Sequence, residues 1–397
     1  MHRFLVTALV IGMVSGCGSS GSTASSSPAT TPGATTSAAS VQPSVAPSVF
    51  PTGAFAALSG DPVPADVAAR FQAILADMAG GGGITATVMT ADGTWSGAAG
   101  KADGVHDMQP DSQFGIASGT KPIIAAQVMQ LVEAGEISLD APATDYLPAD
   151  FTFDTNGATI RQLLSHRSGI PDWYGDAMRE QFAVDRSRVW QLDEVLALVP
   201  AVRRPVGSFE YGDINYNLLG LVIEHVRQRP LVDVLRDGVL RVEGTERLVY
   251  QPDETPTDPM AMPGGESRDA LEQGGGYLPS ISATIHGAAG AMASDSISLA
   301  RWWRAFCAGE IVSEASLTEM STFYDNVESE LPVDYGLGLS NPADGYAQGV
   351  GHPGANFGYN SWSACLTEDH LIVVVLTNFD ASVFELGRPL VVAARSN

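Results

Sequence analysis

The residues best placed to do chemistry stand in Phe114-Gly-Ile-Ala-Ser118-Gly-Thr-Lys121-Pro122, where a serine and a lysine lie three residues apart. On a helix, positions i and i+3 share a face, so the Lys121 nitrogen can reach the Ser118 hydroxyl. A serine hydroxyl is a weak nucleophile until a neighbouring base takes its proton, and Ser-x-x-Lys is one of the arrangements that achieves this. Pro122 fixes the geometry. Proline is tolerated only in the first helical turn, so Ser118 to Lys121 must sit at a helix start, with Ser118 at the positive end of the macrodipole. The chain has 19 Arg but two Lys, Lys101 and Lys121, so a motif that needs a lysine has few places to fall by chance. The bland readings are a solvated lysine and a helix-capping serine.

Two further segments change the balance. Phe209-Glu-Tyr211-Gly-Asp213-Ile-Asn-Tyr216 puts a tyrosine just ahead of an apolar helical run, and Gly351-His352-Pro353-Gly354-Ala355 sits at the lip of a glycine-flanked strand. Taken singly, Tyr211 reads as a core or surface aromatic and His352 as a loop histidine. Lysine near 10.4 and tyrosine near 10 are both far from a useful base pKa unless the site shifts them, and residue types alone leave open which of Lys121 and Tyr211 accepts the serine proton. Other chemistries find little support. No Gly-x-Ser-x-Gly surrounds a serine, His166 and His225 lack partners at zinc-ligand spacing, and Gly80 to Gly83 lacks the Gly-Lys-Ser/Thr ending of a phosphate cradle. No metal and no cofactor is expected.

In this order the three segments resemble the serine β-lactamase and D-alanyl-D-alanine carboxypeptidase superfamily, in its class C and penicillin-recognising branch, which also contains esterases and D-amino-acid amidases. That branch carries Ser-x-x-Lys, then Tyr-x-Asn, then Lys- or His-x-Gly. The resemblance runs from about Gly83 to Asn378 through Leu163-Leu-Ser-His-Arg-Ser-Gly-Ile170, Gly287-Ala-Ala-Gly-Ala-Met-Ala-Ser294 and Tyr335-Gly-Leu-Gly338. It implies Ser118 as the acylated nucleophile, Lys121 as its partner, Tyr211 as general base or proton shuttle, and His352 in the third motif. It also implies an oxyanion hole from the backbone amides of Ser118 and Ala355, with Gly354 and Ala355 lining the substrate site. Two positions depart from the pattern. Asp213 replaces the usual Asn, so a substrate carbonyl expecting a donor there loses it, and a carboxylate beside Lys121 would keep that lysine protonated and favour Tyr211 as base. Pro353 replaces a residue that is often Thr or Ser, which removes a polar contact to a terminal carboxylate. The implied activity is a peptidase or amidase acting on a small peptide, amide or ester through an acyl-enzyme, with a carboxylesterase second. A non-catalytic lipoprotein that binds penicillin or a wall fragment is the competing class.

Positioning these residues needs a scaffold. Val67, Phe71, Ile74, Leu75 and Met78 fall on one helical face before the glycine run. Ile84 to Thr90 and Thr94 to Gly100 flank Asp92-Gly93, a hairpin signal, and Tyr359 to Leu366 and Leu371 to Asn378 give two more strands before a closing helix over 383–394. Helical patterns fill most of the interval. The expected fold is α/β (α+β): an antiparallel sheet flanked by helices, made from both chain ends, with an all-helical insertion over roughly 135–285. Cys307 and Cys365 are a possible disulfide, although sequence cannot bring their Cα atoms within bonding range.

The front of the chain is of another kind. Residues 1–16 read as an export signal, and Val14-Ser15-Gly16-Cys17 resembles the lipobox of bacterial lipoproteins, which implies lipidation of Cys17. Residues 17–60, rich in Ser, Thr, Ala and Pro, read as a linker, leaving a hydrolase domain over 61–397. The 397 residues carry a net charge of -24, and because Arg3 is the one charged residue before Asp61, the remainder carries 20 minus 45, or -25. That acid excess excludes a nucleic-acid partner and electrostatic docking on anionic lipid. The expectation is an extracytoplasmic monomer that meets the membrane through its lipid anchor alone.

Overall fold

The computed structural model describes residues 49–175, 178, 181, 185, 187–257, 260–264, 279–324, 334–343 and 345–396, with the backbone alone of 279–281. The expected signal segment, Cys17 and the linker up to residue 48 lie outside the described residues. The chain opens with helices α1 (Thr52–Ala56) and α2 (Ala65–Met78), the hairpin β1 (Gly83–Thr90) and β2 (Gly93–Gly100), the short strand β3 (Phe114–Gly115) and helix α3 (Lys121–Glu133). Helix α4 (Asp213–Arg227), strand β4 (Val249–Tyr250), helix α5 (Pro279–His286), strand β5 (Met292–Ser294) and helix α6 (Ser296–Cys307) follow. Strands β6 (Gly349–Asn356), β7 (Tyr359–Leu366) and β8 (Leu371–Thr377) and helix α7 (Arg388–Ala394) complete it.

Five strands form one antiparallel sheet in the order β2-β1-β8-β7-β6, so the two chain ends meet at the β1–β8 pair, with Val88 opposite Val373. The side-chain period of two decides which layer each residue joins. Leu371, Val373 and Val375 pack with Phe71 and Leu75 of α2 and Leu390 and Val391 of α7. Their neighbours Ile372, Val374 and Leu376 point the other way, into the larger core with α3, α4 and α6. Both faces are therefore covered, which is why β8 is a continuous apolar run and not an alternating one. Between β2 and β6 helices alternate with long irregular stretches, and the interval 135–285, expected to be all-helical, also holds β4, which pairs with β5 in a second three-stranded sheet, β3-β5-β4, whose β3 leads the chain into the Ser118 turn. Cys307 at the end of α6 and Cys365 of β7 are joined in a disulfide, with Cα atoms 6.8 Å apart.

Two boundaries differ from expectation. The stretch 49–60, read as the end of the linker, is packed on the domain: Phe50, Phe55 and Leu58 are buried, and the two phenylalanine rings stack at 5.8 Å. Two phenylalanines and a leucine, absent from the Ser/Thr/Ala/Pro run before them, are enough to dock it. The closing helix begins at Arg388, not near 383, because Pro389 can be accommodated only in a first turn.

Candidate active site

Ser118 lies in a single 3-10 turn, Ala117–Thr120, that runs directly into α3. The residue before it, Ala117, has φ of 49°, a left-handed conformation that a side chain other than glycine's rarely adopts. Such strain persists only where surrounding contacts enforce it. Here the Ile116 amide donates to Met292 of β5, and the Ser361 hydroxyl of β7 donates to the Ile116 carbonyl at 2.7 Å. Strand β6 then runs close against the turn. A Cβ on Gly354 would stand 2.3 Å from the Ile116 carbonyl oxygen and 2.4 Å from Ser361 Oγ, so glycine is required for the approach. Ala355 follows at the exposed end of the strand, opposite Asn360 of β7.

Lys121 is fully buried, and its Nζ donates to Ser118 Oγ at 3.0 Å, to Asp213 Oδ1 at 2.7 Å and to the Ala289 carbonyl at 3.0 Å. Burial alone would push the ammonium pKa down, but the Asp213 carboxylate and then Tyr211 outweigh it, and the pKa lies above the ordinary lysine value. All three ammonium hydrogens are thus committed to acceptors. The half-buried Tyr211 presents its ring 4.9 Å from Nζ, and its hydroxyl lies beside Ser118 and Lys121. Burial raises the Tyr211 pKa, and the Lys121 charge offsets this only in part.

The structure gives Asp213 a different place from the one expected of a substrate-binding residue. Both its oxygens are used within the protein: Oδ1 accepts from Lys121, and Oδ2 accepts from His286 Nδ1 at 2.6 Å. Burial opposes its charge, but Lys121 and His286 hold the carboxyl well below the usual range, and its position in the first turn of α4 adds the helix dipole. Beside it, Asp172 accepts from the Asp213 and Trp173 amides at 3.1 and 2.9 Å. Burial and the neighbouring Asp213 charge push Asp172 up to about 7.

His352, expected in the catalytic set, is buried with both ring nitrogens spoken for. Nδ1 lies 2.6 Å from the Pro353 carbonyl, which can only accept, so Nδ1 carries the hydrogen and Nε2 accepts from the Tyr335 hydroxyl at 3.0 Å. Burial and the nearby Lys121 charge push its pKa down to about 3. It is a neutral brace for β6 with no spare proton to exchange. Behind it, His166 packs on the Tyr211 ring at a centroid distance of 4.3 Å and is likewise held neutral by burial and by Lys121.

Ser118, Lys121, Tyr211, Asp213 and Gly354 therefore converge, and His352 supports them. Reading the residues alone missed Asp172, His286 and the Ala289 carbonyl. One signal did point there: an aspartate at position 213 beside a lysine asks for a second counter-group, and His286 directly precedes the glycine-rich segment that begins at Gly287.

Comparison with known proteins agrees with this geometry. The sequence model of the family described as Beta-lactamase matches residues 67–395. The chain belongs to the beta-lactamase family. It is a serine hydrolase of that fold. Among solved structures, the D-amino acid amidase from Ochrobactrum anthropi superposes with a TM-score of 0.72 and 25% identity, over 84% of this chain and 99% of that one. The penicillin binding protein from Bacillus halodurans gives 0.68 and 26%, over 81% and 98%. Esterase EstB of Burkholderia gladioli is 34% identical over 137 residues, 31% of this chain. That match spans about a third of the curated relative, 35% of its length.

Proposed function

We propose that this family member is an amidase or small-peptide hydrolase that works through an acyl-enzyme on Ser118. The observation that carries the reading is the Lys121 ammonium, bonded at once to Ser118 Oγ and Asp213 with the Tyr211 hydroxyl alongside. Because Lys121 is held protonated, Tyr211 is the group left to take the serine proton. In the reactive form Tyr211 is a phenolate beside the Lys121 ammonium. Ser118 Oγ attacks the substrate carbonyl carbon as its proton passes to Tyr211, and the carbonyl oxygen becomes an oxyanion held by the Ser118 and Ala355 amides. The intermediate expels the amine, which takes the proton from Tyr211, and water then repeats the sequence to release the acid. The raised Tyr211 pKa makes the phenolate a minor form at neutral pH, so the rate should climb with pH on the alkaline side.

Strong β-lactamase activity is not part of the proposal. Asp213 has no hydrogen to donate to an acylamino carbonyl, and Pro353 offers neither hydroxyl nor amide hydrogen to a substrate carboxylate. A carboxylesterase is the second reading, favoured by the likeness to Esterase EstB. We also place the protein outside the cytoplasm, held by lipid on Cys17, on the strength of the Val14-Ser15-Gly16-Cys17 string. The test is mass spectrometry after incubation with a fluorophosphonate, followed by assays on small amides, peptides and esters. The expected result is one adduct, on Ser118 and absent in Ser118→Ala, with amide or peptide turnover. No adduct would overturn the hydrolase mechanism, and ester turnover alone would select the esterase.

A further inference from the structure

The tyrosine assigned as base is held by a residue outside all three motifs. His166, fully buried in the turn after the short helix Ile160–Leu164, touches Tyr211 and both of its chain neighbours. Its carbonyl accepts the Glu210 amide at 2.8 Å. Its ring Nδ1 accepts the Gly212 amide at 3.3 Å. Between those two anchors the imidazole lies on the Tyr211 ring, with centroids 4.3 Å apart and planes inclined by 39°. The backbone on either side of Tyr211, and the ring itself, are tied to one residue from a distant part of the chain.

The state of the imidazole follows from its partners. A backbone N–H can only donate, so Nδ1 presents its lone pair and the hydrogen sits on Nε2. Burial first, and then the Lys121 charge, hold the ring neutral, as this bond requires. The Asn215 side-chain nitrogen stands 3.2 Å from the same Nδ1 while its Oδ1 accepts from Ser168 Oγ at 2.6 Å, so the start of α4 is laced to the turn that carries His166. The rings of Tyr335 and Tyr216 close around it at 4.8 and 5.3 Å. The backbone shows that the arrangement is enforced. His166 has φ of 55°, a left-handed conformation that residues with a side chain seldom adopt and keep only where their surroundings over-determine it.

Tyr211 needs such support. Residues 208–212 form neither helix nor strand, so no ladder of their own fixes the Tyr211 backbone, and its half-buried side chain must still keep the hydroxyl beside Ser118 and Lys121. His166 is itself shielded from the cleft, so it acts on the reaction through Tyr211. We propose that His166 is a positioning residue for the general base, holding the Tyr211 phenol beside Ser118 and Lys121 by bonding the backbone on both sides of it and stacking on its ring. This rests on the acyl-enzyme reading above, with Tyr211 as base, and adds the device that keeps that base in place.

The experiment follows the rate at which Ser118 takes a fluorophosphonate, by mass spectrometry, in the full chain. The variants are His166→Phe, His166→Asn, Tyr211→Phe and each His166 variant combined with Tyr211→Phe. Phe keeps a ring and offers no acceptor, whereas Asn keeps an acceptor oxygen, tolerates left-handed backbone and gives up the ring. His166→Phe should slow labelling by about tenfold or more, the scale expected when a reacting group is moved from its place, and His166→Asn by about threefold. In the Tyr211→Phe chain, already slow, neither His166 change should cost more than about twofold, because the group it acts through is gone. The rate constant is read on the fraction that labels, so unfolded protein lowers the yield and not the rate. If His166→Phe fails to fold, His166→Asn decides. Labelling at the parent rate in the folded His166 variants, or a loss of the same size with and without Tyr211, overturns the inference. No adduct on Ser118 in the parent chain is a different failure, since it removes the acyl-enzyme reading and this inference together, whereas a labelled parent with unmoved variants removes this inference alone.

Discussion

Two histidines flank the nucleophile, and their surroundings could hardly differ more. His352 comes from a β-strand, touches a carbonyl and a phenol, and is neutral with both nitrogens satisfied. His286 comes from the last residue of α5, touches a carboxylate, and has one nitrogen to spare. The first sits in a sequence motif and was expected to take part in the chemistry. The second sits in no motif. A motif position records where a backbone must run, whereas participation depends on which polar atoms are left uncommitted after folding. His352 is fixed because β6 must lie against the Ser118 turn, and His286 is available because the Asp213 it serves is itself saturated.

The largest effect that would break this contrast comes from Asp213→Asn. Removing the carboxylate leaves burial to act on Lys121 with less opposition, so its pKa should fall and a neutral lysine should become available as base. The alkaline rise in kcat/KM should move toward lower pH by about one unit or more. The His286 bond would weaken with it. A pH profile that does not move would show that Lys121 is not governed by Asp213. A smaller effect is expected for His352→Phe. The Tyr335 hydroxyl, itself buried, loses its acceptor, at a cost of about 1–3 kcal/mol in stability by denaturant unfolding. Because His352 has its pKa near 3, no limb of the profile between pH 5 and 9 should disappear. Loss of a limb near pH 6 to 7 would return His352 to the proton-transfer set.

Much of the frame was legible because it rests on local rules. Asp92-Gly93 announces the hairpin, Pro122 announces where α3 starts, and the apolar run Leu371 to Leu376 announces a strand. Ser118 and Lys121 were legible for the same reason, since three residues on one turn fix their distance. Tyr211 and Asp213 needed the resemblance, because nothing local shows that the start of α4 lands 92 positions back in sequence on Lys121. Asp172 was not legible at all, and His286 was marked only by its place directly before Gly287. Their roles exist only through long-range contacts, from 41 and 73 residues away, to a carboxylate that had been read as facing a substrate. The linker boundary was set too late: the small-residue composition ends before Val49, and Phe50 and Phe55 stack and join the core.

The mildest test concerns Asp172, the acid that the two-histidine contrast leaves without a cation of its own. In the folded protein its pKa is pushed up to about 7, by burial first and by Asp213 second, from about 3.9 in an unfolded chain. The sign follows from proton counting. Between those two values the native state holds a proton that the unfolded state has released, so the stabilisation from this group is complete below about pH 4 and is lost as pH rises toward 7. Asp172→Asn removes the charge but keeps only one of the two acceptor oxygens, so either the Trp173 amide, now on Oδ1, or the Asp213 amide, now on Oδ2, loses its partner. It should therefore lower Tm by a few degrees at pH 4, on the order of 1–3 kcal/mol, and the loss should shrink or reverse at pH 8, where the removed charge is the unfavourable one. A variant destabilised more at pH 8 than at pH 4 would mean that the Asp172 charge is wanted by the site, with the Lys121 ammonium beyond Asp213 as its partner.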